Sequence, residues 1–269
     1  MMTMEPAEGR SPRQVERQRA ISEAVMAEGA IRIAQLAERF EISLMTVHRD
    51  LYQLEARGLL RKSRGVATAQ SSSLVESSDV FRLGRELAEK AALAQTALDY
   101  IEPGQALLLD DSTTVLQLVK LLRSKAPLTV ITNVLTVMNE LTGVRGISMV
   151  ALGGNYYTWC SAFMGRMPNE AIGQLRADTF IMSTAAITDD RCFHQSLETV
   201  DTKRAMFDAA VTRILLVDHT KFEKRALHAV MHLTEFDLVI VDSQTDESHI
   251  SRLRSQGVNV VVAGHGATK

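Results

Sequence analysis

Residues 33–66 (IAQLAERFEISLMTVHRDLYQLEARGLLRKSRGV) constrain this chain more than any other stretch. Ile33, Leu36, Ala37 and Phe40 recur at three- and four-residue spacing, which predicts a short helix with one apolar face. Glu41-Ile42 breaks that pattern, and Ile42 is apolar enough to plug the gap between two helices. Ser43 is placed to cap a second helix by accepting a hydrogen bond from an amide of its first turn. The stripe Leu44, Val47, Leu51, Leu54 continues that helix, and Gly58 is expected to stop it. Leu59 to Val66 then reads as two short strands around a basic tip. Helix, tight turn, helix and hairpin in this order predict a winged helix-turn-helix, which lays its second helix in the major groove of DNA.

Local charge agrees. The whole chain has a formal net charge of −2, which favours no partner. Between Leu44 and Val66, however, Arg49, Arg57, Arg61, Lys62 and Arg64 outnumber Asp50 and Glu55. Such a patch neutralises phosphates and releases counterions. An ordinary solvated helix face would carry similar charge, but not together with the cap, the short turn and the glycine stop. Ser43, Met45, Thr46, His48 and Arg49 are therefore expected to face double-stranded operator DNA, with Arg61, Lys62 and Arg64 on flanking phosphates.

The expected order is a loose tail over 1–12, the DNA-binding domain over 13–67, a linker over 68–80 and a second domain over 81–269. A chain of 269 residues leaves room for a second core beyond the DNA module. The tail is polar and lacks the apolar segment of a secretory signal, and no apolar run approaches a membrane span. Cys160 and Cys192 are the only cysteines, too few for a disulfide framework, so a cytoplasmic setting is expected. Ile21, Ala24, Val25 and Ala27 predict a first helix over 13–28. Ala67–Ser73 is small, polar and aperiodic, hence a linker. Phe81, Leu83, Leu87, Ala91, Ala94 and Leu98 predict a helix that ends at Pro103-Gly104.

Beyond residue 104 short apolar runs predict buried strands at 106–109, 128–131, 147–152, 179–182, 214–217, 238–241 and 258–262. Amphipathic stretches at 114–122, 135–141, 198–210 and 247–256 predict helices between them, hence a mostly parallel α/β sheet covered on both faces. Ligands of such sheets sit beyond the strand C-termini. Those ends are polar here: Asp110-Asp111-Ser112-Thr113-Thr114, Thr132-Asn133, Gly153-Gly154-Asn155 and Asp218-His219-Thr220-Lys221. Each has an ordinary reading as a cap, a turn or an ion pair, but four together suggest a site. Met26, Met149 and Met182 fit core positions. His228 and His232, at i and i+4, would share a helix face as a metal pair requires; their apolar surroundings and the lack of a matching glutamate argue against one.

The first half resembles DeoR-type bacterial regulators, through Leu36-Ala37-Glu38-Arg39-Phe40, Ile42-Ser43, Thr46-Val47, Arg49-Asp50-Leu51, Leu54-Glu55, Gly58, Arg61 and Gly65. His48 stands where that family has the first arginine of a pair, and Val66 replaces the second glycine of the wing. The resemblance continues through Asp110–Thr114, Thr132-Asn133, Gly153-Gly154, Glu198 with Lys203-Arg204, and Asp218 with Lys221-Phe222. It implies a C-terminal domain with the fold of ribose-5-phosphate isomerase and glucosamine-6-phosphate deaminase, binding a phosphorylated sugar or related metabolite. By that implication Ser112, Thr113 and Thr114 cradle the phosphate, while Asp110, Glu198, Lys203, Asp218 and Lys221 enclose the sugar; Asn133, Gly153 and Gly154 complete the expected set. Residues 185–191 depart from the family's glycine-rich loop.

The expected function is a transcriptional regulator, a repressor of a carbohydrate operon, acting as a homodimer or homotetramer without cofactor or metal. A sugar-phosphate isomerase or deaminase would use the same second fold, with Asp110, Asp218 and Lys221 moving protons, but has no need of the first module. A DNA-packaging protein with an inert second domain would bind without sequence preference or metabolite response.

Overall fold

A computed structural model of the chain describes residues 12–56, 59–69 and 82–264. The expected tail up to residue 11, Arg57, the Gly58 stop, Phe81 and most of the linker lie outside these residues. The chain divides into two compact units, Met1–Gly84 and Arg85–Lys269.

The first unit comprises α1 (Pro12–Glu28), β1 (Ala30–Arg32), α2 (Ile33–Arg39), α3 (Leu44–Ala56), β2 (Leu60–Ser63) and β3 (Val66–Ala69). Its core joins Ile21 and Val25 of α1 to Leu36 of α2, Val47, Leu51 and Leu54 of α3, and Leu60 and Ala67 of the hairpin. Each fully buried valine, leucine or isoleucine of this set contributes about 1.5–3 kcal/mol. Ser43 caps α3 as expected, its Oγ accepting from the Thr46 amide at 3.2 Å. Leu44 departs from expectation: it is 52% exposed, because the buried stripe begins one turn later at Val47. The wing turns on Arg64 and Gly65, with φ of 49° and 77°. Two successive left-handed residues match the twist of a two-residue hairpin. Strand β1, not foreseen, pairs antiparallel with β3 and gives the order β1-β3-β2.

The second unit begins with α4 (Leu87–Leu98), β4 (Ala106–Leu109), α5 (Thr113–Val119), β5 (Leu128–Thr132), α6 (Leu135–Leu141) and β6 (Ile147–Ala151). A hairpin of β7 (Asn155–Tyr157) and β8 (Ala162–Met164) leads to α7 (Arg166–Gly173) and β9 (Ala177–Met182). Then come β10 (Ala186–Thr188), β11 (Arg191–His194), α8 (Leu197–Asp208), β12 (Ala210–Val217), β13 (His228–His232), β14 (Leu238–Val241), α9 (Glu247–Ser255) and β15 (Val260–Val262). All seven expected strands join one seven-stranded sheet, in the order β15-β14-β12-β9-β4-β5-β6, and every pairing in it is parallel. Leu108, Met182, Leu215 and Val239 pack into one core cluster, Leu107, Leu109, Ile181 and Leu216 into another. That period-two alternation gives the sheet two buried faces.

Several details differ from the sequence reading. Strand β6 is exposed along most of its length, with Met149 36% accessible, because it is the sheet's edge. Leu87 is 52% exposed; α4 buries Lys90, Leu93, Ala94, Ala97 and Leu98 instead, a stripe displaced from the one expected. His228 and His232 lie on strand β13, not on a helix, so their four-position spacing sets them roughly 13 Å apart. Among the described residues no three His, Cys, Asp or Glu side chains are placed to hold a metal ion. Residues 185–191 form the β10–β11 hairpin, and Asp189 and Asp190 take the left-handed turn positions with φ of 49° and 56°. Aspartate tolerates that conformation better than most residues, so the turn forms without glycine.

Candidate functional site

The chain runs outward from β4 to β5 and β6, then returns to β9 on the other side of β4 and continues through β12, β14 and β15. Strand order therefore reverses between β4 and β9. The C-terminal crevice at such a reversal is where open α/β sheets bind ligands.

Asp110 follows β4 directly into that crevice and is 1% exposed. Its Oδ2 accepts from the Ser183 amide just beyond β9 at 3.0 Å, and its Oδ1 from the Ser112 amide at 3.0 Å. Lys203 reaches the same point from α8; its Nζ contacts Asp110 Oδ2, lies 3.0 Å from Asp111 Oδ1 and donates to the Ser183 carbonyl at 3.3 Å. Burial opposes the charge on Lys203, but the two carboxylates and their hydrogen bonds outweigh it and hold the ammonium above the ordinary lysine value. Asp111 belongs to this cluster, though the sequence offered no sign that separated it from a turn residue.

The neighbouring strand ends are equally buried. Ser112 caps α5 through Val115 N at 3.2 Å, with Thr113 and Thr114 in the first turn behind it. Asn133 donates from Nδ2 to the Phe163 carbonyl at 2.7 Å, while its buried Oδ1 receives no hydrogen bond. Beyond β12, Asp218 pairs with Lys221 at 3.5 Å and caps the short helical turn at His219–Phe222. Burial raises its pKa, but Lys221 and the Thr220 hydroxyl bring it below the usual carboxylate value. His219, missed by the sequence reading, sets its Nδ1 2.8 Å from Asp242 beyond β14. Burial disfavours its charge, and the Asp242 carboxylate more than compensates, raising its pKa.

Three expected residues stand apart. Glu198 is exposed and accepts from Ser196 Oγ at 2.9 Å. Gly153 is exposed. A Cβ on Gly154 would come within 2.7 Å of Pro168 Cδ and 3.0 Å of the Met164 carbonyl, so close packing already accounts for that glycine. Cys160 and Cys192 are free and buried, and burial pushes the Cys192 thiol up to about 12, where it is no nucleophile.

On the first unit Ser43, Met45, His48 and Arg49 are exposed and Thr46 is partly so, all along the open side of α3. Arg61 and Arg64 are exposed on the wing and Lys62 is half-buried. Tyr52 shares the open side at 69% exposure and was not among the expected contacts. The opposite side carries Asp50, fully buried, which takes Arg17 Nε at 2.6 Å and Gln18 Nε2 at 3.0 Å from α1. That clamp fixes α3 against α1. No helix among the described residues is long and apolar enough to cross a membrane.

Comparison with known proteins agrees with both halves. The DeoR-like helix-turn-helix domain matches residues 17–73 and the DeoR C terminal sensor domain residues 85–243. The chain is 33% identical to the transcriptional repressor AccR of Agrobacterium fabrum over 86% of this chain and 90% of that protein. It is 31% identical to a lactose phosphotransferase system repressor of Staphylococcus epidermidis, over 83% and 90%. Among solved structures, a ribose 5-phosphate isomerase of Methanocaldococcus jannaschii aligns over 49% of this chain and 53% of its own, with 13% identity and a TM-score of 0.36.

Proposed function

Since the chain belongs to the DeoR family of transcriptional regulators, we propose that it represses a carbohydrate operon and is released from its operator by a phosphorylated sugar or related metabolite. The first unit reads DNA through Ser43, Met45, Thr46, His48 and Arg49, with Arg61, Lys62 and Arg64 on phosphates. The second unit receives the effector at the strand-order reversal.

One observation carries the sensor assignment: a buried lysine and two buried carboxylates converge at the crevice between β4 and β9. Beside them Asn133 Oδ1 is a buried acceptor without a donor, which suits a sugar hydroxyl. Ser112, Thr113 and Thr114 are the candidate phosphate cradle, and Lys221 a second cation. The same set would suit proton transfer, yet the chain's first module gives it a use for binding without turnover. A repressor with a helix-turn-helix pairs two copies over two half-sites, so we assign a dimer or a multiple of one.

Fluorescence anisotropy on the upstream intergenic DNA tests this reading, with and without a panel of sugar phosphates. Tight binding released by one compound is expected, and Lys221→Ala should keep DNA binding while losing the release. Turnover of that compound by the protein would instead support an enzyme. DNA affinity indifferent to sequence and to every compound would sink the repressor reading.

A further inference from the structure

A cavity of about 310 Å³ opens between the β10–β11 turn, the segment after the His219–Phe222 turn, and α9. Its wall is organised in advance. Asp190 Oδ1 accepts from Arg252 Nη2 at 2.7 Å and Nε at 3.1 Å, and its Oδ2 from Gln256 Nε2 at 2.8 Å, so the Arg252 fork is anchored. Arg252 Nη2 also lies 3.3 Å from His249 Nδ1. A guanidinium only donates, so Nδ1 is the acceptor and the imidazole keeps its hydrogen on Nε2. Phe222 stacks on that ring at 4.6 Å and 18°, which fixes its plane.

Lys224 and Arg225 line the same cavity. Neither is held in a close ion pair among the described residues, although Lys224 acts electrostatically on Asp218, and Asp189 and Glu223 line the cavity too. An anchored arginine, an oriented imidazole N–H and the cations of Lys224 and Arg225 supply donors for an anionic group. The two carboxylates supply acceptors that a bare anion has no use for and that hydroxyl groups satisfy.

We infer that this cavity is a second small-molecule site, for a hydroxylated metabolite bearing a phosphate or carboxylate. It is separate from the strand-end crevice: Lys221 turns inward to Asp218, whereas the adjacent Phe222 turns to α9. The assignment stands without the effector reading above.

The test uses the full-length protein with histidine labelled at Cε1, its His249 signal assigned through His249→Gln. Inorganic phosphate and glycerol 3-phosphate are titrated separately at constant pH and ionic strength. A saturable shift of the His249 signal is expected, tighter for glycerol 3-phosphate. Lys224→Ala with Arg225→Ala should weaken it by about tenfold or more, the scale of a lost charge-assisted contact. Ser112→Ala should leave it unchanged. A His249 signal that never moves, or one that moves equally in the double variant, overturns the site. Loss of the response in Ser112→Ala overturns its separateness, and equal affinity for the two probes overturns its preference for hydroxyls. Operator release by sugar phosphates is read independently by anisotropy, so failure of the one assignment is not failure of the other.

Discussion

The open side of α3 with the wing and the strand-end crevice both collect charge, but they keep it in opposite ways. Arg49, Arg61 and Arg64 stand in solvent without ion-pair partners among the described residues. Lys203, Asp110, Asp111, Asp218 and Lys221 are buried and matched to one another. Exposed cations cost little to maintain and remain available to phosphates, one by one. Buried charges are tolerable only as a set, because each compensates the desolvation of its neighbour. A surface that reads a polyanion can vary residue by residue, whereas a polar crevice has to change as a unit.

The largest expected effect comes from breaking the buried set. Lys203→Met leaves Asp110 and Asp111 without their cation and should destabilise the second unit by about 3–5 kcal/mol. Urea unfolding measures this, and a loss below about 1 kcal/mol would mean that the cluster is not coupled as described. Asp50→Ala sharpens the comparison, because it removes a buried charge from the DNA-reading unit. It should cost about 2–3 kcal/mol of that unit's stability and weaken operator binding as α3 loosens from α1. If it behaves like a surface substitution, burial is not what separates the two regions.

Arg49→Ala should leave stability within about 0.5 kcal/mol while removing about 1–2 kcal/mol of operator discrimination. Anisotropy on operator and scrambled DNA distinguishes the two. On the wing, Arg61→Ala and Arg64→Ala should each lower the salt slope of binding by about 1, with sequence preference retained. The smallest effect concerns His219. Its imidazole should titrate above the ordinary value of about 6.5 by NMR, and Asp242→Asn should lower it. The Asp242–His219 pair then stabilises the fold fully below about pH 6.5 and less as pH rises through the raised pKa. A His219 pKa unchanged by Asp242→Asn would remove this contribution.

Much of the fold was legible because it rests on local spacing. The stripe Val47, Leu51, Leu54, the Ser43 cap and the Arg64-Gly65 turn each involve residues within a few positions of one another. The seven apolar runs located the sheet for the same reason, since a parallel strand buried on both faces announces itself without partners. Where spacing was ambiguous the reading failed. The i, i+4 spacing of His228 and His232 suits a helix or one face of a strand, and β11 decided for the strand by pairing with β13. Met149 is as apolar as a core residue, but among the described residues no further strand lies beyond β6.

The candidate site divides along the same line. Asp110, Ser112, Asn133, Asp218 and Lys221 could be singled out because polar residues directly follow apolar strands. Asp111 and His219 lie in the same polar runs without anything that separates them from turn residues, and the partner of His219, Asp242, is reached only across the sheet. Residue order alone determined the helix-turn-helix, the seven strands of the large sheet and the polar character of their ends, through hydrogen bonds and side-chain periodicities that span a few residues. Only the tertiary structure decided that Lys203 meets Asp110 across 93 positions, and that Asp50 clamps Arg17 across 33. Such pairings follow from the order of strands in the sheet and the packing of helices, and it is burial after folding that turns those charges from solvated side chains into mutually dependent partners.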